Sequence, residues 1–367
     1  MTHRIQVGAD VHDASILCKI ATDRRKPQVR SFSNDIEGRE AMISLLNKQA
    51  RAVGADIFVV YEASGVGFGL YDELREAGIT CHVLAPTNIE RSPKHRRNKT
   101  DERDAERLLQ VLRNHLMAGD DLPSVWVPDL ATRDDRELVR AQRDATEKLT
   151  AVKTQIRCLI KRNPIGRQRK PGGNWTNGYC EWLRRLSEGG IEGLGAGARL
   201  ALASLLRQMN ALDEEIATLN KQVAALSRTP RYAGAMRELI RIKGVGILTA
   251  MIFLTELGDL SRFPNRRKLA AYLGLVPTAN ESGEASDRKG HITRQGPYRV
   301  RHVLCQAVWT AIRSDPPVAK AYQALVRRNP KHKKIAVVAL MRRLGIRMWH
   351  AALRAGPPAQ GDTVRAA

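Results

Sequence analysis

The first part of the chain alternates between strand-like and helix-like patterns of apolar residues. Ile5 to Asp10, Ser15 to Ala21 and Gln28 to Ser33 each have the composition of a strand, and the turn at His12-Asp13 makes the first two a hairpin. An amphipathic helical pattern follows, from about Ile36 to Ala50. These patterns predict an antiparallel meander of three strands that leads into a helix.

The pattern then changes to alternating strands and helices. Ile57 to Tyr61 is a continuous apolar run that ends at Glu62, which is typical of a buried parallel strand. A helix around Leu70 to Ala77, a strand over Thr80 to Leu84 and a helix from about Thr100 to His115 come next. This element order is that of an RNase H-like (RuvC-like) α/β domain, which we expect at residues 1–125.

The middle of the chain, residues 126–230, has the apolar periodicity of long helices. One helix carries a seam at alternating spacings of four and three: Leu205, Met209, Leu212, Ile216, Leu219, Val223 and Leu226. An earlier helix carries a shorter seam of the same kind: Leu149, Val152, Ile156 and Leu159. The periodicity fits an antiparallel hairpin within one chain and a dimerising coiled coil equally well.

A Gly- and Arg-rich stretch from Arg162 to Gly197 separates these two helices and contains helix breakers such as Pro164 and Pro171. We expect it to form a basic insert at the tip of the hairpin. Residues 231–355 are predicted to form a mostly helical C-terminal domain, and residues 356–367 a disordered tail.

Two segments of the C-terminal domain are not simply helical. Leu239 to Ala250 is similar to a helix-hairpin-helix, in which Gly244 and Gly246 make the tight turn and backbone N–H groups can meet a phosphate. A glycine turn that only packs two helices is the alternative. Asn280 to Pro297 is rich in turn residues and separates this element from amphipathic, basic helix up to about Ala355.

The net charge identifies the class of partner. The 367 residues, enough for roughly two to three domains, include 61 Lys and Arg against 38 Asp and Glu, a formal charge of +23. Lys153 to Arg185 carries nine basic residues and one acidic residue, and Gly283 to Ala355 carries sixteen against three. A polyanion is the expected partner, and nucleic acid is the commonest one.

Cysteine usage and hydropathy limit the compartment. The five cysteines have no C-x-x-C spacing, so neither a zinc site nor a disulfide framework is indicated. The longest uncharged apolar stretch, near Gly244 to Thr255, is well short of the ~20 residues that a membrane span needs. A reducing cytoplasm fits these observations, and we expect a soluble protein.

Four acidic residues lie where an RNase H-like fold collects metal ligands. Asp10 ends the first strand, Glu62 ends the fourth, and Asp101 and Asp104 share one face of the last helix behind a basic run. Three or four convergent carboxylates can hold Mg2+, with Mn2+ as a substitute, and leave positions for phosphate. Any one of these acids alone would more often be a solvated surface residue, and Asp13 is the nearest competitor of Asp10.

A second chemical group is a serine in the turn-rich segment. Ser282 precedes Gly283, and a serine hydroxyl needs activation before it can act as a nucleophile. Its position alone indicates an ordinary loop serine, and Ser286 is equally eligible.

Several motifs together resemble one known family. They are Gly8-Ala9-Asp10, Glu62-Ala63-Ser64-Gly65, Asn98 to Ala105, Ile242 to Gly246, Ala271 to Pro277 and Glu281-Ser282-Gly283. The chain thereby resembles the DEDD transposases of insertion sequences, which are related to Piv/MooV-type pilin-gene invertases and act as bridge-RNA-guided serine recombinases. The resemblance covers almost the whole chain.

The resemblance implies a mechanism and a set of partners. Asp10, Glu62, Asp101 and Asp104 would be the metal-binding catalytic acids, and Ser282 would attack a phosphodiester to form a phosphoserine link to DNA. A noncoding bridge RNA would pair with donor and target DNA, and dimers would assemble into tetramers whose active sites combine residues of different protomers.

The basic stretches and the glycine hairpin supply the candidate contacts to nucleic acid. These are Arg96, Arg97, Lys99, Lys161, Arg162, Arg167, Arg169, Lys170, Lys243, Gly244, Gly246, Arg288, Lys289, Arg294 and Arg299. The primary hypothesis is an RNA-guided, Mg2+-dependent transposase. The alternatives are a RuvC-like structure-specific endonuclease that uses the same acids and water, and an architectural nucleic-acid-binding protein whose acids are inert.

Overall fold

The computed structural model describes residues 3–86, 100–167, 171–279, 289–328 and 330–356. The chain divides into two compact units, Met1–Val127 and Pro128–Ala367. The first contains a mixed sheet with helices, and the second is mostly helical. None of the helices in the described ranges is both long and apolar enough to cross a membrane.

The first unit follows the predicted order of elements closely. Its described elements are β1 (His3–Val11), β2 (Ser15–Thr22), β3 (Gln28–Ser33), α1 (Ile36–Val53), β4 (Ala55–Glu62), α2 (Gly69–Glu76), β5 (Thr80–Leu84) and α3 (Asp101–Ala118). The sheet order is β3-β2-β1-β4-β5. The first three strands pair antiparallel, whereas β1, β4 and β5 run parallel, and Ala9 lies opposite Tyr61. The first and fourth strands along the chain are therefore neighbours in the sheet.

Strand β1 is buried on both faces because α1 covers one face and α3 the other. Ile5, Val7 and Ala9 belong to the apolar core that includes Met42 and Leu46 of α1. The alternate residues point to the opposite face, where Arg113 of α3 donates to Gln6 Oε1 at 3.1 Å. Helix α3 also contributes Leu108 and Leu112 to a small core with Val60 and Leu84.

Gly8 sets how closely α3 approaches β1. A Cβ atom at this position would overlap the carbonyl oxygen of Ala105 and the backbone of Leu109. The helix backbone therefore lies directly on the strand. Any side chain at residue 8 would increase the distance between α3 and β1. Since Gly8 and Asp10 share a face of β1, this contact also fixes the height of α3 beside Asp10.

The second unit is built mainly from helices. Its described elements are α4 (Leu130–Arg162), α5 (Asn177–Glu188), α6 (Ala196–Leu226), α7 (Pro230–Leu239), α8 (Ile247–Leu257), α9 (Arg266–Tyr272), β6 (Pro277–Ala279), β7 (Lys289–Ile292), α10 (Tyr298–Ser314), α11 (Pro316–Arg328) and α12 (Lys333–Arg354), with three short 3-10 turns. Strands β6 and β7 pair antiparallel. The predicted division of this unit at residue 230 stays a prediction.

Helices α4 and α6 pack as an antiparallel hairpin, one of the two arrangements that fit the heptad pattern. Gln142 Nε2 donates to Asn220 Oδ1 at 3.0 Å, and Lys153 Nζ lies 3.8 Å from Asp213 Oδ1, so the two helices run antiparallel. Met209 of the seam belongs to the same core as α4 residues such as Ile156 and Leu159. The seam is therefore packed within one chain, as the intramolecular alternative proposed.

The basic insert contains a helix, α5, that was not predicted because the segment is rich in Pro and Gly. Pro171, Gly172 and Gly173 lie just before α5, and the Thr176 side chain caps α5 by accepting from Tyr179 N. Tyr179, Leu183 and Leu186 recur at helical spacing and are fully buried. This periodicity was the available signal for the helix.

Gly244 makes the turn before α8 with a left-handed backbone, φ +89°. A Cβ here would overlap the carbonyl oxygen of Ala307 and press on Ala311, both in α10. Gly244 thus has a packing role in this core, which matches the alternative of a glycine turn between helices. A phosphate contact at this turn stays a prediction.

We predict that Gly8→Ala destabilises the first unit by about 1–3 kcal/mol, because the added methyl group forces α3 away from β1. Hydrogen exchange of the β1 and α3 peptides in the full chain measures this local free energy of opening. Gly65→Ala is the matched control, since nothing lies within 4 Å of its Cβ position. Equal protection in the two variants would show that α3 does not depend on Gly8.

Candidate active site

Asp10 lies near the carboxyl end of β1 and is 8% exposed. Its neighbour across the sheet follows from the parallel register, in which Ala9 pairs with Tyr61. One step further along both strands, Asp10 comes beside Glu62, the last residue of β4. The backbones of these two acidic residues, which come from separate parts of the sequence, therefore lie side by side at the carboxyl ends of β1 and β4.

Helix α3 brings the other two acids to the same place. It begins at Asp101, and the Thr100 side chain accepts from Arg103 N at 3.4 Å as its N-cap. Asp104 lies on the stripe that α3 buries, together with Ala105 and Leu108, and is 8% exposed. Both acids lie in the first turn, where the helix dipole stabilises negative charge.

The side chain of His12 joins this group, although the sequence analysis assigned it only to a turn. His12 Nε2 lies 3.2 Å from Asp10 Oδ2 and 3.5 Å from Asp101 Oδ1. One ligand atom from each of these three residues lies within 4.8 Å of the other two. The overlooked signal was the spacing of two residues between Gly8, Asp10 and His12, because every second residue of an extended chain points to the same face.

Arg107 is the second residue that the sequence analysis missed. Its Nη1 lies 3.4 Å from Asp104 Oδ1 and its Nη2 lies 4.0 Å from Glu62 Oε2. Arg107 follows Asp104 by three residues, so both point the same way from α3. The guanidinium partly offsets the charge of the two inner acids.

The electrostatics of the site are dominated by burial of like charges. Burial raises the pKa of Asp10, and the nearby carboxylates of Asp104 and Asp101 raise it further. His12 opposes this rise through its charge and its hydrogen bond. The pKa of Asp10 is raised overall, so keeping Asp10 ionised in the folded chain costs stability.

A divalent cation suits this set of side chains. Carboxylate oxygens are the preferred ligands of Mg2+ and Mn2+, and a bound cation removes the repulsion that raises the pKa of Asp10. The side chain of Asp101 is 55% exposed and that of Asp10 is 11% exposed, so the group opens to solvent on the Asp101 side. This opening leaves room for water or a phosphate oxygen.

The predicted nucleic-acid contacts have different surroundings. Lys161, Arg162, Lys243 and Arg294 are exposed. Arg299 instead donates to Asp144 Oδ1 at 2.7 Å, so its charge is already paired within the second unit. Gly246 is the N-cap residue of α8.

The remaining predicted site residues cannot be placed in this geometry. Ser282, Ser286, Arg96, Arg97, Lys99, Arg169, Lys170 and Arg288 lie outside the described residues, and only the backbone is described for Arg167 and Lys289. Most of the tail, residues 357–367, also lies outside. The roles given to these residues stay predictions.

We predict that Asp10→Asn raises the melting temperature in metal-free buffer at neutral pH. The raised pKa means that the ionised carboxylate opposes folding above that pKa. Removing the charge removes this cost of burial, so the melting temperature of the first unit should rise. Calorimetry with a chelator present measures this.

The gain should disappear below pH ~3.9, the ordinary pKa of aspartate, because wild-type Asp10 is then protonated in both folded and unfolded chains. Asp13→Asn is the control, since Asp13 is exposed beside the same turn. A lower melting temperature for Asp10→Asn than for Asp13→Asn at neutral pH would contradict the electrostatic account.

Comparisons with known proteins agree with the geometry of the first unit. The sequence pattern of a DEDD transposase domain, described as Transposase, matches residues 7–163, and that described as Transposase IS116/IS110/IS902 family matches residues 236–323. The first match contains all four acids together with His12 and Arg107.

Relatives extend the match over most of the chain. The protein y4qE of Sinorhizobium fredii, which carries the name of a transposase, is 33% identical over 314 residues, covering 86% of this chain and 73% of the relative. The transposase for insertion sequence element IS1533 of Leptospira borgpetersenii is 25% identical over 354 residues, covering 91% and 97%. The pilin gene-inverting protein of Moraxella bovis is 27% identical over 146 residues, covering 40% and 45%. The chain therefore belongs to the IS110/IS116 family of DEDD transposases, enzymes that cleave and rejoin DNA.

Proposed function

We propose that this transposase is an RNA-guided recombinase that moves an insertion element, with Asp10, Glu62, Asp101 and Asp104 as its metal-binding catalytic acids. The observation that carries the proposal is the convergence of acids from β1, β4 and the first turn of α3. The strand order and the position of α3 support an RNase H-like fold for the first unit.

The proposed cation is Mg2+, and Mn2+ can replace it. When bound, it supplies Lewis-acid stabilisation of the charge that builds on the attacked phosphate. The four carboxylates hold it, and the exposed side of Asp101 receives the DNA backbone. Arg107, between Glu62 and Asp104, keeps the inner acids in place when the cation is absent.

Ser282 is the proposed nucleophile. Its hydroxyl oxygen forms a bond to phosphorus as the bond from phosphorus to the leaving sugar oxygen breaks, and that oxygen takes up a proton. The resulting phosphoserine ester conserves the energy of the original diester, so rejoining needs no ATP. This role rests on the family resemblance, because Ser282 lies outside the described residues.

A noncoding bridge RNA is the proposed source of sequence recognition. It would pair with donor and target DNA while basic side chains bind the backbones. The formal charge of +23 and the low aromatic content, 5%, favour contacts to duplex phosphates over stacking on single-stranded bases. Dimers that pair into tetramers, with acids and serine from different protomers in one site, complete the proposal, which places the enzyme on the bacterial nucleoid.

The alternative function is a RuvC-like endonuclease that hydrolyses DNA junctions with the same acids. It needs no serine, because water is the nucleophile. Membership of a transposase family favours rejoining over hydrolysis. It equally disfavours an architectural protein with inert acids.

We predict that protein, bridge RNA and DNA with Mg2+ give a covalent protein–DNA adduct on denaturing gels, and that Ser282→Ala abolishes it. Ser286→Ala is the matched control in the same segment and should keep the adduct. Strand cleavage that continues in Ser282→Ala without any adduct would support the endonuclease instead.

The same assay tests the acids. Asp101→Ala and Asp104→Ala should each lower strand cleavage by at least about 100-fold, since several kcal/mol of charge stabilisation is lost. Undiminished cleavage in both variants would eliminate both enzymatic mechanisms that use these acids.

A further prediction concerns the exposed C-terminal end of α4. The double variant Lys161→Ala/Arg162→Ala should reduce the slope of log affinity for DNA against log salt concentration by about 2, because two phosphate contacts are lost. A fluorescence anisotropy titration at several salt concentrations measures this slope.

Arg184→Ala is the control for this pair of residues. Arg184 is exposed in the same basic stretch, but its guanidinium donates to Glu181 and Glu188 at 2.6–2.9 Å. Its loss should leave the slope almost unchanged. An equal reduction by both variants would indicate a general charge effect in place of a defined contact.

A further inference from the structure

We propose that His12 is itself a ligand of the divalent cation, through Nε2, so that the site combines one imidazole nitrogen with carboxylate oxygens. The inference rests on the metal site of the proposed function and goes beyond it. It adds a residue outside the four acids and gives the site a metal preference that four carboxylates alone would not have.

The distances between side chains fit neighbouring positions around one ion. Ligand atoms about 2.1 Å from an octahedral cation lie about 3 Å apart when they are adjacent. His12 Nε2 is 3.2 Å from Asp10 Oδ2 and 3.5 Å from Asp101 Oδ1. Small side-chain adjustments therefore suffice for all three residues to share an ion.

The backbone holds His12 in position before any ion arrives. Its N–H donates to Ser15 O at 2.9 Å, and its carbonyl accepts from Asn34 Nδ2 at 2.6 Å. These bonds tie the residue to β2 and to the end of β3, on the two sides of the turn. A ligand whose main chain is fixed in this way loses little conformational entropy when it binds a metal.

The register between β1 and α3 places the ring beside Asp101. Arg113 bonds to Gln6, and Gly8 lies under Ala105 and Leu109. Two residues of strand advance about 6.6 Å, and one turn of helix advances about 5.4 Å. Two residues beyond Gly8, Asp10 therefore lies beside the N-terminal turn of α3, and His12, two residues further along the same face, comes beside Asp101 at the start of the helix.

A hydrogen bond to the acids without metal ligation is the competing explanation. In that case a cation would displace the ring from Asp10 and Asp101, and His12 would end up in solvent. If His12 is a ligand, the ring nitrogen bonds to the cation. The two explanations therefore differ in a property of the bound metal.

A nitrogen ligand has a chemical consequence. Mg2+ favours oxygen ligands and gives up its water reluctantly, whereas Mn2+ lies in the series of transition ions that bind mixed nitrogen and oxygen sites. The ratio of Mn2+ to Mg2+ affinity should therefore be higher for this site than for carboxylates alone. His12→Gln should weaken Mn2+ binding by about 10- to 100-fold and Mg2+ binding much less.

The test is pulsed electron paramagnetic resonance of Mn2+ bound to the full chain without nucleic acid. The wild type should show electron spin echo modulation from a directly bound 14N nucleus, and 15N-histidine labelling should change it to the 15N pattern. His12→Gln should abolish the modulation. His3→Gln is the matched control, because His3 lies at the other end of β1 and pairs with Asp23 at 2.8 Å.

Each result has a definite meaning. Bound Mn2+ without nitrogen modulation, or modulation that persists in His12→Gln, would overturn the ligand role of His12 while the metal site survives. Mn2+ binding that is absent, or unaffected by Asp101→Asn, would overturn the proposed metal site and the inference together. Unchanged melting temperature of His12→Gln in metal-free buffer shows that loss of modulation is not loss of fold.

Discussion

The close approach of α3 to β1 at Gly8 is the constraint on which the rest of the site depends. The acids come from sequence positions about ninety residues apart, and this contact, together with the hydrogen bond from Arg113 to Gln6, sets the position of Asp104 relative to Asp10. A helix raised by even one methyl group would carry Asp101 and Asp104 away from the sheet edge together. The glycine is thus a structural requirement of the proposed metal site, although it contributes no ligand.

Bringing these carboxylates together costs stability, and the fold offsets part of that cost locally. The dipole of α3 stabilises the charges of Asp101 and Asp104 in its first turn. Arg107 lies near Asp104, and His12 lies near Asp101. The compensation is incomplete, because the pKa of Asp10 remains raised. Burial is the largest cause of this rise, followed by the charges of Asp104 and Asp101, and a bound cation would offset both by favouring the ionised carboxylate.

The sequence predicted the elements of the first unit, because strand patterns and helical spacing are local properties, and the assignment of the four acids to one site stays a prediction. His12 and Arg107 were missed because their roles arise from pairing across the fold. The two-residue spacing of Gly8, Asp10 and His12 is visible in the sequence. Its consequence for the site depends on which helix covers that face of β1. The seam of α6 shows the same limit: its spacing predicted a packed helix, whereas its partner, α4, became clear only from contacts such as Gln142 to Asn220.

Charge is divided between the two units in a way that suits their proposed tasks. Residues 1–127 contain 18 basic and 18 acidic residues, so the whole formal charge of +23 belongs to residues 128–367. The acids therefore sit in a unit with no excess positive charge to compete with a metal ion, and the long-range attraction for phosphates arises from the other unit. Salt screens exposed charges beyond about 8–10 Å but weakens a short-range metal site much less. Binding of nucleic acid and binding of the proposed cation should therefore respond to ionic strength separately, which would let the chain retain the cation while it exchanges DNA.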